Sequence, residues 1–244
     1  MDGVGEARGG LDQIAGDFAR LSRMLAEESG GLDPERLVRV AAHVTPHAEH
    51  CAITLMVASQ PPRTVAATGS LPEEVDRIQY ATEEGPCLRA MTHDGVTLVE
   101  DLRTDPRWPA FSARCVAETP VRSMLSTRLA LDSGRSAAMN LYAYRPNQFA
   151  DLDIGVASMF APFVALAVQS RLDQQQVSGL QSALTSSRQI GTAIGILMAR
   201  ELVTSQQAFD LLRSASNHLN RKLRDIADEV VDTGGLPGGA PIDR

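Results

Sequence analysis

The chain has 244 residues, is 43% hydrophobic and 22% charged, and carries a formal net charge of −7, which describes an ordinary globular protein with room for one large or two small domains. Cys51, Cys87 and Cys115 are odd in number and lack a CxxC pair, which excludes a disulfide framework or zinc knuckle and fits a reducing cytoplasm. The opening residues do not read as a secretion signal, and the longest apolar run, Ile154 to Val168, is 15 residues, too short to span a bilayer.

Met1 to Gly10 holds four glycines and reads as a flexible tail. Leu11, Ile14, Phe18, Leu21 and Leu25 then recur at spacings of three and four, predicting an amphipathic helix whose narrow stripe needs a partner surface. Gly30 and Gly31 end it. Asp33 followed by Pro34 opens a second helix running to about Val44. From about Glu49 the period becomes two, and CAITLMVA and TVAAT predict paired antiparallel strands around Pro61 and Pro62. Short helices are expected over Glu74 to Tyr80 and Pro86 to Thr92, a strand over Val96 to Glu100, and a helix over Trp108 to Ala117. Alternating strands over Val121 to Leu131 and Ser136 to Tyr144 flank the turn Asp132-Ser133-Gly134-Arg135, a hairpin signal. Asp151 and Asp153 begin a long helix through Arg171. Helices around an antiparallel sheet make this part α+β.

Arg171 to Ser187 contains neither a proline nor a glycine pair, and Val177, Leu180 and Leu184 keep helical spacing. One continuous helix therefore joins the two halves, and in a homodimer its stripe would form a short coiled coil. From Arg188 onward, apolar residues recur in three blocks: Ile190, Ile194, Leu197; Ala208, Leu212, Ala215, Leu219; and Leu223, Ile226, Ala227, Val230. Three helices sharing one core are expected. Thr204 and Gln207 form a capping box that starts the second at Ser205. Asn220 is expected to cap the start of the third, and Gly234 to stop it.

The run Ile190, Ala193, Gly195, Ile196, Leu197, Met198, followed by Ala208, Phe209, Leu212, Arg213 and by Leu223 to Ala227, resembles the ANTAR domain. That resemblance implies an all-α RNA-binding output module of bacterial transcription antitermination regulators. The stretch from about Leu32 to Arg171 resembles a GAF domain, through Glu84 to Leu88, Val99 to Pro109, Val121 to Ser126 and Asn140 to Tyr142. GAF domains are sensory folds, which implies a small-molecule effector of unidentified class. The division expected is a tail and helix over 1–31, a sensor over 32–170, a connecting helix with the RNA-binding domain over 171–234, and a flexible tail over 235–244.

Between Arg188 and Arg224 stand six basic residues (Arg188, Arg200, Arg213, Arg221, Lys222, Arg224) against two acidic ones, Glu201 and Asp210. Lys222 and Arg224 are expected in the first turn of the third helix, where the dipole disfavours cations unless an anion is brought there. Arg213, Asn217 and Asn220 fall at i, i+4 and i+7, able to read exposed bases of a hairpin loop. Arg188 and Arg200, 12 residues apart, point about 120° away from each other. Ile194 stands where ANTAR domains often have lysine, removing one cation the family commonly offers. His43, His47, His50 and Cys51 do not share a helical face, because Pro46 interrupts them, so no metal site is expected. Cys87 at a helix mouth is either a lowered-pKa thiol or a buried structural one. No P-loop, GxSxG, HExxH or paired-carboxylate spacing proposes a reaction, and no cofactor is implied. The two resemblances together imply a cytoplasmic, dimeric regulator whose partner is a stem-loop in nascent RNA. The alternative is a helical bundle that docks on another protein.

Overall fold

The computed structural model describes Gly16 and residues 33–237, apart from Ser59, Asp94 and Ser133. Apart from Gly16, the expected helix over Leu11 to Glu28 lies outside the described residues, as does the tail beyond Pro237. The chain divides into two compact units after Leu172.

The first unit is built on a fully antiparallel five-stranded sheet of β1 (His50–Val57), β2 (Arg63–Ala67), β3 (Val96–Val99), β4 (Ser123–Leu129) and β5 (Arg135–Ala143) in the order β2-β1-β5-β4-β3. With it stand α1 (Pro34–Val44), α2 (Ser70–Thr82), α3 (Pro86–Thr92), α4 (Pro109–Glu118) and α5 (Asp151–Glu201). Alternation along β5 sends Ala137, Met139, Leu141 and Ala143 into one core with α1 and α5. On the opposite face Tyr142 packs with Ile78, Trp108, Phe111 and Met124. Both faces are covered, so successive residues along β1, β4 and β5 are buried whichever face they point to.

Local signals place these elements. Pro34 occupies the first turn of α1 after Asp33. Asp153, buried in the first turn of α5, accepts from the Ala150 N–H at 2.9 Å and meets His47 at 3.5 Å. The helix over Ser70–Thr82 starts four residues before the expected Glu74, because Pro72 is tolerated in a first turn.

α5 runs unbroken for 51 residues, as the linker composition implies, with Pro162 inside it. By length and composition it would suffice to cross a membrane, yet half of its most apolar window is buried within the protein, as in the core helix of a soluble domain.

In the second unit the C-terminal part of α5 packs with α6 (Ser205–Leu219) and α7 (Leu223–Thr233). The core is Ala193, Leu197, Ala208, Leu212, Ile226, Ala227 and Val230, all fully buried. The Thr204–Gln207 capping box is complete, with both reciprocal bonds formed. Gly234 ends α7 at φ +77, the left-handed stop its position implies. Asn220 departs from expectation: it is the left-handed C-cap of α6, and Lys222 is the N-cap of α7. Asparagine suits both positions, and here the tight turn between the helices takes the αL conformer.

Candidate RNA interface and sensor interior

The candidate RNA residues fall into separate groups. Asn217, Asn220, Arg221, Lys222 and Arg224 gather at the α6–α7 turn, which is held by Arg221 N–H to Ser216 O at 3.0 Å and Ser216 Oγ to Arg221 O at 2.6 Å. All five are exposed. Arg221 bridges back to Glu229 at 2.7 Å, tying the turn to the body of α7. Arg224 meets Asp225 at 3.3 Å, and Arg213, one turn before Asn217, meets Asp210 at 2.9 Å. Such exposed pairs contribute about 0–1 kcal/mol, so a phosphate can compete for either guanidinium. Lys222 is the N-cap of α7 rather than a member of its first turn, its side chain unpaired among the described residues, beside N–H groups that have no side-chain cap. That combination of a free cation and uncapped N–H groups is an anion-binding arrangement.

Arg200 stands apart. Its Nη1 donates to the Gly234 carbonyl at 2.6 Å, at the opposite end of α7 from Lys222. It caps the C-terminal carbonyls of α7, where the helix dipole favours a cation. Arg188 is exposed on α5, about 18 Å along the axis from Arg200, with its side chain also unpaired among the described residues.

In the first unit, the residues of the GAF-like motifs turn out to be mutual ties. Asp76, fully buried on α2, accepts from Thr54 Oγ1, Thr64 Oγ1 and Tyr142 Oη, each at 2.8 Å, with Tyr80 Oη at 3.4 Å and Gln79 Nε2 at 3.3 Å. Burial pushes its carboxyl above the usual range, while hydrogen bonds from Tyr142, Thr54, Thr64 and Tyr80 pull the other way. Gln79 Oε1 accepts the Cys87 N–H at 3.0 Å. Asn140 Nδ2 reaches Thr54 Oγ1 at 3.2 Å and Cys87 Sγ at 3.1 Å, but Asn140 Oδ1 and the neighbouring Ser126 Oγ are buried without a partner. Gly85 sits at φ +138, and a Cβ there would lie 2.2 Å from Gln79 Oε1. Glu84 caps α4 by accepting from the Ala110 and Phe111 N–H groups at 3.0 and 3.2 Å. Asp101 pairs with Arg122 through two bonds, 3.0 and 2.7 Å, and that guanidinium holds its carboxyl below the ordinary range. Arg107 lies 4.4 Å over the Trp108 ring.

All three cysteines are free and buried, and burial raises each thiol, Cys115 to about 11. Cys87 is therefore a structural thiol, in spite of its place at a helix mouth. His50 is spent on Thr68 Oγ1 at 3.2 Å and Tyr144 Oη at 2.6 Å, and no metal-ligating cluster is found among the described residues.

Comparison with known proteins decides the family. The GAF domain matches residues 35–169, more than half of the chain, and the ANTAR domain matches residues 178–231. This chain is a GAF-domain protein with a C-terminal ANTAR domain. The GAF domain of a phosphoenolpyruvate-protein phosphotransferase from Coxiella burnetii superposes with a TM-score of 0.51 at 11% identity, covering 67% of this chain and 97% of that one. It supports the fold alone. A domain of a sensor histidine kinase protein from Sinorhizobium meliloti 1021 has a TM-score of 0.46 at 19% identity, covering 58% of this chain and 93% of that one. Free methionine-R-sulfoxide reductase from Neisseria meningitidis gives 0.49 at 15% identity, covering 66% and 91%. No curated protein matches the chain. GAF domains are sensors and ANTAR domains are RNA-binding antitermination modules, so a regulatory role follows at that level.

Proposed function

We propose that this GAF–ANTAR protein is a signal-responsive transcription antitermination regulator, in which residues 32–170 sense and residues 171–234 bind a stem-loop in nascent RNA. Lys222 and Arg224 engage phosphates at the start of α7, while Arg213, Asn217, Asn220 and Arg221 face loop bases, and Arg188 extends the basic surface along α5. Arg200 is withdrawn from this set, because its guanidinium is committed to the end of α7.

The observation that carries the reading is the unbroken α5, which begins in the GAF match and ends in the ANTAR match. Val177, Leu180 and Leu184 are 53%, 58% and 72% exposed, an apolar stripe that a second copy would cover in a parallel coiled coil. Sensing then amounts to a population shift between dimer arrangements, driven by an effector that binds one arrangement better. The buried Asn140 Oδ1 and Ser126 Oγ, which have no hydrogen-bond partner, support the polar interior around them as the seat of such an effector. The cytoplasm, where transcripts emerge, is the matching compartment.

A docking module for another protein is the second reading, favoured by Leu202, 90% exposed at the end of α5. Titrating the purified full chain against hairpins that overlap terminators in its own transcripts separates the two. RNA binding predicts a steep loss of affinity between low and moderate salt. Absence of hairpin binding even in dilute buffer would leave the protein-docking reading.

A further inference from the structure

Alternation along β4 sends Leu125 and Leu129 into the core with α1 and α5 and Met124 to the other face, so Thr127 belongs to the α5 side. There it stands opposite Val96 of the edge strand β3. Both line a groove of about 680 Å³ between this sheet edge and α5, with Leu131, Ala161, Pro162 and Ala165 among its apolar walls. That size falls within the range of about 300–1,000 Å³ typical of small-molecule pockets.

Two polar groups interrupt these walls. Thr127 is only 5% exposed, and its hydroxyl is buried without a hydrogen-bond partner. One step about χ1 exchanges that hydroxyl with the methyl group beside it. Leaving a buried hydroxyl unbonded costs stability, which a ligand that bonds it recovers. The second group is the Ser158 carbonyl. Its ordinary donor four residues on is Pro162, which has no N–H and whose ring pushes the carbonyl off the helix axis. Ser158 and Pro162 both line the groove, so the carbonyl between them opens on it. At the rim Arg128 and Asp132 carry opposite charges, which select no ion of either sign.

We propose that this groove is a second small-molecule site, on the face of the sheet opposite Asn140 and Ser126, for a neutral amphiphile with an apolar body and one O–H or N–H group. A carbonyl only accepts, so the ligand donates to Ser158, and the Thr127 hydroxyl gives or takes the second bond. Bound there, the ligand lies against Ala161, Pro162 and Ala165 of α5, the helix that continues into the ANTAR match. The site is independent of the effector seat in the polar interior and of RNA binding.

The test is a fluorescence titration of the full chain with 1-pyrenemethanol and with 1-ethylpyrene, which has nearly the same shape and no donor. Pyrenemethanol should bind saturably at one site, at least about fivefold more tightly than ethylpyrene, the scale of one hydrogen bond. Thr127→Val keeps the shape and removes the unbonded hydroxyl. It should hold or raise the melting temperature, weaken pyrenemethanol by about threefold or more and leave ethylpyrene unchanged. Ser158→Trp fills the groove from an exposed position and should abolish binding of both probes. Absence of saturable binding, equal affinities for the two probes, or pyrenemethanol binding that survives both substitutions unchanged overturns the proposal. No hairpin enters these titrations, so their outcome is separate from that of the RNA reading.

Discussion

The two halves of the molecule keep their polar groups in opposite ways. In the GAF unit, charge and hydroxyl groups are drawn inward: Asp76 is fully buried and gathers four side-chain hydroxyls and one amide. In the ANTAR bundle the core is seven small or medium apolar side chains, and the cations stay at the surface, in ion pairs, unpaired or, for Arg200, bound to a backbone carbonyl. The first arrangement fixes a shape and makes its interior sensitive to chemistry. The second leaves the outer face free to exchange partners, which a nucleic-acid surface requires.

The difference can be broken from either side. Leu212→Ala removes a fully buried side chain from a core of seven and should cost about 2–5 kcal/mol. Hydrogen exchange should then show α6 and α7 losing protection while the sheet keeps its own. Gly85→Ala puts a side chain at φ +138 and against Gln79 Oε1, displacing the bond to Cys87; a loss of about 1–3 kcal/mol is expected in urea unfolding. Asp76→Asn leaves several hydroxyl donors competing for one acceptor, a loss of about 1–2 kcal/mol. Its pH dependence has a definite sign. Burial holds the folded-state value of Asp76 above its ordinary one, so stability from this group is complete below the ordinary carboxylate range and is lost as pH rises through the folded value. The deficit of Asp76→Asn should therefore shrink as pH rises from 4 toward 7, and a deficit that grew would contradict the assignment. Arg200→Gln should lower bundle stability by only a few tenths to about 1 kcal/mol and leave hairpin affinity unchanged.

Much of this was legible in the sequence, and the exceptions have physical causes. Helix starts and stops carried by one local bond were readable: the Thr204–Gln207 box and Gly234 stand where their chemistry requires. Asn220 was ambiguous because one side chain suits both an N-cap and a left-handed C-cap, and only the turn geometry chooses. The Asp76 network was hidden because its three shortest bonds come from Thr64, Thr54 and Tyr142, 12 to 66 residues away. A signal existed, since Asp76 shares the buried face of α2 with Pro72, Val75 and Gln79. Arg200 looked like its neighbours in composition, and only the packing of α7 brings a helix C-terminus to it.

The assignment of RNA contacts to the α6–α7 turn is tested most directly by titrating one terminator-overlapping hairpin with the unmodified chain and with Lys222→Glu at several salt concentrations, alongside thermal unfolding. The account predicts an affinity loss of about tenfold for Lys222→Glu, a slope of log affinity against log salt shallower by about 0.7 to 0.9, and an unchanged melting temperature. Equal affinities and equal salt slopes for the two proteins would contradict it.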